Sequence, residues 1–94
     1  MLDAAAKSDL TKRLRRAEGQ VKAVERMISE DAYCVDVLTQ IAAAAAALEK
    51  AGGIVLRQHL ETCVSDAFAG GSEDDRREKV EELMKVFGKY SDFR

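Results

Sequence analysis

Ninety-four residues with a net charge of −2 make one small domain whose own core is limited, so self-association is a plausible source of extra stability. There is no proline and no tryptophan, 34% of residues are charged and 47% apolar, which is the balance of a soluble, helix-rich protein. The longest uninterrupted apolar run, Ile41 to Leu48, has eight residues and is far too short to span a bilayer.

The opening Met1-Leu2-Asp3 leads into a polar and alanine stretch without the basic start and apolar core of a secretory signal. A cytoplasmic location is therefore expected. Two cysteines in a reducing compartment suit a metal or redox pair better than a structural disulfide.

Ser8 reads as the N-cap of a first helix over 8–29. Its apolar residues Leu10, Leu14, Ala17, Val21, Val24 and Ile28 recur at spacings of three and four. From Lys7 to Arg26 there are seven basic and three acidic residues, a local charge of +4 against −6 for the remainder. Such asymmetry marks either a basic contact surface or a solvated face with pairs such as Glu18–Lys22. Ser29-Glu30-Asp31 reads as a tight connection, with Asp31 capping the next helix.

That second helix is long, over 32–69, and Val35, Leu38, Ile41, Ala45, Leu48, Val55, Leu56, Leu60 and Cys63 keep its period. Gly52-Gly53 is its weak point, costing roughly 1 kcal/mol per glycine relative to alanine. The period continues across the pair, so the helix is expected to continue too. Gly70-Gly71 ends it. Ser72 then caps a third helix over 72–88, with Asp75 in the capping-box region and Val80, Leu83, Met84 and Phe87 as its apolar stripe. Gly88 closes that helix and Lys89 to Arg94 form a short tail. No strand pattern, repeat or second domain appears, so residues 1–94 read as a single all-α domain.

Cys34, His59 and Cys63 are the only cysteines and the only histidine. His59 and Cys63 stand at i and i+4, on one face of a helix. In one regular helix, Cys34 falls within roughly 20° of that face but about 37 Å away along the axis. One helix cannot close such a site on itself, whereas two antiparallel copies can, and would do so twice. They would cross near Ala44 to Leu48, where alanines either permit close approach or simply favour helix.

Two thiols and an imidazole make a soft donor set, suited to Cu(I), Zn(II) or an iron–sulfur cluster. A closed structural zinc site and an iron–sulfur cluster each normally take four protein ligands, and three suit trigonal Cu(I). The competing reading is ordinary: a cysteine is often only a small buried hydrophobe. No catalytic triad, glycine-rich phosphate loop or acid pair near the histidine is visible, so no enzyme is expected.

Three segments carry a family resemblance: R-L-R-R-A-E-G-Q-V at 13–21, the D-A-Y-C-V-D-V-L-x-Q-I run at 31–41 and H-L-E-T-C at 59–63. Together they resemble the CsoR–RcnR family of bacterial metal-sensing repressors, and most nearly its copper-sensing branch. The likeness covers roughly residues 8 to 88. It implies a three-helix protomer with a long second helix, an antiparallel dimer forming a four-helix bundle, and a dimer of dimers. It also implies that Cys34 of one subunit joins His59 and Cys63 of another around Cu(I). Tyr33 and Glu82 match residues that orient the histidine. Lys12, Arg13, Arg16 and Lys50 match or adjoin the operator-contacting surface. If arginine is usual at position 50, Lys50 keeps the charge but loses the bidentate fork.

The reading implied by the resemblance is a copper(I)-responsive repressor that holds operator DNA without metal and releases it on binding. The alternative within the family is a persulfide or thiol sensor using Cys34 and Cys63, although retention of His59 favours copper. A copper-buffering protein with no DNA role is the alternative from another class, and the net acidity is its best support.

Overall fold

A computed structural model describes residues 2–90, with side chains as far as Gly88. The described residues are helical without strands: α1 at Ala4–Ser29, α2 at Cys34–His59, a π-helical turn at Leu60–Val64, α3 at Ser65–Gly70 and α4 at Glu73–Tyr90. The α2, π and α3 segments join without a break in helical torsions, so the long second helix is present and includes Gly52-Gly53. Residues 91–94 of the expected tail lie outside the described residues.

The first helix begins a turn earlier than Ser8. Asp3 is its N-cap: Ala6 N donates to Asp3 Oδ1 at 2.7 Å. Ala4-Ala5-Ala6 are the best helix formers available, and the Asp3 carboxylate also complements the positive helix end.

The connection after α1 differs from the sequence expectation in one residue's role. Asp31 does not cap α2. Its φ of 55° places it in the left-handed region. Asp31 N donates to Ile28 O at 3.2 Å and Ala32 N donates to Met27 O at 2.9 Å. This is a Schellman closure of α1, with the left-handed residue directly after the cap Glu30. A short polar side chain tolerates that conformation better than a branched one. The peptide before α2 supplies the next turn, where Val37 N donates to Tyr33 O at 3.1 Å.

Ser72 and Asp75 do form the expected capping box. Ser72 N donates to Asp75 Oδ2 at 3.0 Å and Asp75 N donates to Ser72 Oγ at 3.1 Å. Gly71 ahead of them is required for room: an added Cβ would stand 2.5 Å from Ala67 O. The third helix continues past Gly88 to Tyr90.

The chain divides into two compact units, Asp3–Ile54 and a second beginning at Val55. The first contains α1, its Schellman turn and most of α2 in a hairpin, with Leu10, Ala17, Ala44 and Ala51 buried. The small residues allow close helix approach, but they bury little area. In the second unit α3 packs on the π turn and on α4, and Val64 is buried. Large apolar residues stay substantially exposed: Leu14, Val21 and Ile28 on α1, Leu38, Ile41 and Leu48 on α2, and Val80, Met84 and Phe87 on α4.

The Schellman turn gives a direct stability test. Asp31→Val should lower stability by about 1 kcal/mol or more, because a β-branched residue resists positive φ, while Asp31→Gly should be tolerated. Urea denaturation at fixed protein concentration measures both.

Candidate metal centre

His59 is the last residue of α2 and Cys63 lies in the π turn that follows. A π turn accommodates one more residue than an α turn, so it alters the phase of whatever follows while keeping Cys63 within a turn of His59. Two hydroxyls bond to carbonyls here. Thr62 Oγ1 donates to Gln58 O at 2.7 Å, and Ser65 Oγ donates to Leu60 O at 3.1 Å. Such back-bonding offers carbonyls an alternative partner where the regular ladder is interrupted. Thr62 Oγ1 also stands 3.7 Å from Cys63 Sγ. Glu61 is turned to Arg57, whose Nε donates to it at 2.9 Å in an exposed pair.

The structure brings His59 to Glu82. Nε2 and Glu82 Oε1 are 2.5 Å apart, and the imidazole is mostly buried, with 15% side-chain exposure. Oε1 stands off the line of the ring N–H, which leaves Nε2 buried without an aligned hydrogen-bond partner. The short approach sets the Glu82 carboxylate against the Nε2 edge of the ring, where it favours a proton on that nitrogen. The other oxygen, Oε2, is 3.5 Å from Lys79 Nζ. The Glu82 carboxyl is held below its ordinary value near 4.5, chiefly by the His59 contact; partial desolvation opposes this and the Lys79 charge adds to it.

Cys63 is half-buried beside this pair in the chain, and Cys34 is exposed at the first turn of α2, in the Asp3–Ile54 unit. Among the described residues no three cysteine, histidine or acidic side chains gather into a metal-binding group. Tyr33 is 70% exposed. Of the residues matched by resemblance, His59 and Glu82 therefore meet. Lys79 was not singled out from the sequence, although its i,i+3 spacing to Glu82 in E-K-V-E-E is a readable signal.

The basic candidates all lie in the Asp3–Ile54 unit. Lys12, Arg16 and Lys50 are exposed. Arg13 is partly engaged, its Nε donating to Asp9 Oδ2 at 2.9 Å. Arg13 on α1 and Lys50 on α2 thus belong to one compact unit although they are distant in sequence.

The Glu82 contact has a definite pH sign. A carboxyl depressed in the folded chain contributes stability above its ordinary value and loses it as pH falls through the lower, folded value. His59→Ala should raise the Glu82 midpoint toward the ordinary value, as read by carboxyl NMR titration.

The model of the family described as metal-sensitive transcriptional repressor matches residues 6–89. The copper-sensing transcriptional repressor CsoR of Bacillus subtilis is 40% identical over 85 residues, covering 90% of this chain and 81% of that protein. The copper-sensing transcriptional repressor RicR of Mycobacterium tuberculosis is 52% identical over 65 residues, 69% of this chain and 68% of its own length. Among solved structures, the copper-sensing repressor CsoR with Cu(I) from Geobacillus thermodenitrificans superposes with a TM-score of 0.86 at 34% identity, covering 97% of this chain and 92% of that one. The chain belongs to the family of metal-sensitive transcriptional repressors.

Proposed function

We propose that this chain is a copper(I)-responsive repressor that binds operator DNA as an oligomer without metal and is released when a site shared between subunits is filled. The observation that carries this reading is the side chain of His59. Glu82 occupies the Nε2 side of the ring, which leaves Nδ1 as the nitrogen available to a metal, with Cys63 one turn onward. The similarity to copper-sensing repressors supports copper as the ion.

The donor set fits this ion. Cys63 and His59 come from one end of a helical path whose other end carries Cys34, and the 26 residues of α2 make intramolecular closure unfavourable. Cys34 of one subunit with His59 and Cys63 of the partner subunit would hold Cu(I), whose chemistry there is a low-coordinate link between two protomers. The exposed apolar stripes of α1 and α2 supply the surfaces for an antiparallel pair, and further stripe area allows a dimer of dimers. A repressor acting on operator DNA would work in the cytoplasm, in keeping with the absence among the described residues of a helix long and apolar enough to cross a membrane.

The protein's own residues then do three things. Cys34 and Cys63 provide thiolates. Glu82, held by its contacts, keeps the His59 ring oriented with Nδ1 outward. Lys12, Arg13, Arg16 and Lys50 meet DNA phosphates, where a protomer of net charge −2 presents its positive segment once per subunit. Arg13 must share its guanidinium with Asp9, so it is a restrained contact rather than a free one. Tyr33 precedes Cys34 in the chain and would lie beside that thiolate when the site is filled.

Release requires that the filled and empty oligomers differ in DNA affinity, a coupling of about 1–3 kcal/mol that must be reciprocal. Saturating operator DNA should therefore weaken Cu(I) affinity by the same factor by which Cu(I) weakens DNA binding. Competition titration with a Cu(I) chelator measures it, and an affinity indifferent to DNA sinks the coupling. His59→Ala should abolish release by Cu(I) in a mobility-shift assay on the region upstream of its own gene while leaving retardation in place. Release of that variant by a persulfide donor instead would favour sulfur sensing through Cys34 and Cys63.

Shared ligation has its own test. Cys34→Ser and Cys63→Ser proteins should each fail to bind Cu(I) tightly, yet after reassortment their mixture should recover roughly a quarter of the wild-type sites. No recovery in a mixture shown to contain heterodimers would place all ligands within one chain.

A further inference from the structure

Glu82 can serve His59 only if its carboxylate points the right way, and its own helix does not guarantee that. Glu82 sits on α4, partly exposed, with several rotamers open to it. The second carboxylate oxygen is 3.5 Å from Lys79 Nζ, one helical turn earlier, and the Lys79 side chain is itself only 30% exposed. The two oxygens of Glu82 thus have separate partners, His59 on one side and Lys79 on the other.

We propose that Lys79 is a positioning residue for His59, acting through Glu82: it holds the carboxylate so that the imidazole proton stays on Nε2 and Nδ1 stays free. This rests on the reading of His59 as a metal ligand, but it concerns a property of the metal-free protein. An i,i+3 ion pair at a partly exposed site contributes little to folding. Its value lies in direction. A lysine removed from Glu82 leaves the carboxylate freer to turn to water, and the preference for one imidazole tautomer weakens. The charge also has a place in the site's balance. Two thiolates with one Cu(I) carry a net negative charge, and Glu82 adds another. Lys79 is the only cation paired with that carboxylate among the described residues.

The experiment uses a feature of the sequence. His59 is the chain's only histidine, so the imidazole nitrogens of the whole protein give a single set of signals. In metal-free, uniformly nitrogen-labelled protein near pH 8.5, where an ordinary imidazole is neutral, the ring should carry its proton on Nε2. Lys79→Met keeps the stem and removes the charge, and should lower the ratio of Nε2–H to Nδ1–H tautomer by about twofold. Lys79→Arg should restore the ratio, and Glu82→Gln should abolish the preference in every background. A wild-type ring protonated on Nδ1 overturns the proposal. So does a Lys79→Met ratio equal to wild type with unchanged helicity by circular dichroism. If the tautomer shifts as stated while Cu(I) binding proves absent, the positioning role stands and the copper reading fails.

Discussion

Hydrophobic burial that one chain does not complete is the constraint on which the rest of this structure depends. The residues buried in the Asp3–Ile54 unit are small, apart from Leu10, while Leu14, Val21, Ile28, Leu38, Ile41 and Leu48 keep between two-fifths and two-thirds of their surface exposed. At about 25 cal/mol per Å² of apolar surface, each such residue withholds on the order of 1 kcal/mol until something covers it. Helical geometry distributes that unfinished surface in long stripes. A stripe seven residues in period on α1, at Leu14, Val21 and Ile28, is a seam for another helix rather than a pocket for a small molecule.

The candidate centre shares this incompleteness at the level of chemistry. His59 has its orienting carboxylate, and Cys63 follows within the π turn, but the remaining sulfur is at the start of α2. The proposed assembly answers both deficits with one operation: a second copy covers the apolar seam and brings Cys34 to the other subunit's histidine. Sensing and association are then linked, because the ligand's free energy acts across the same surface that holds the protomers together.

Much of this was readable from residue spacing, and the exceptions have physical causes. The three and four spacing from Leu10 to Ile28 located the first helix, but its start depended on which of two capping residues came first, and Asp3 ahead of three alanines outcompeted Ser8. Asp31 was recognised as a turn residue and given the wrong helix: the same short acidic side chain serves an N-cap and a left-handed closure, and only the φ of 55° separates them. The capping box at Ser72 and Asp75 was unambiguous because its two bonds are reciprocal. Within the centre, the family resemblance indicated Glu82, and the 2.5 Å contact gives it a partner atom. The π turn was not legible at all. Thr62 and Ser65 look like ordinary helix-surface residues until their hydroxyls are seen to bond the carbonyls of Gln58 and Leu60.

That turn bears on how a metal signal could be transmitted. A regular helix through His59 and Cys63 would fix both ligands to one rigid rod, and any pull on the pair would move α2 as a whole. With a π turn between them, the two donors stand on segments whose relative phase is set by a locally altered hydrogen-bond pattern. Glu82 ties the first of these donors to α4, and α3, which follows the second, packs on the same helix. Displacing either ligand therefore works against α4 within a single compact unit. The basic residues proposed to meet DNA belong to the other unit, on α1 and at Lys50 of α2, so α2 is the one element that belongs to both. A change begun at His59 has a covalent helical route toward Lys50, nine residues back along the same helix.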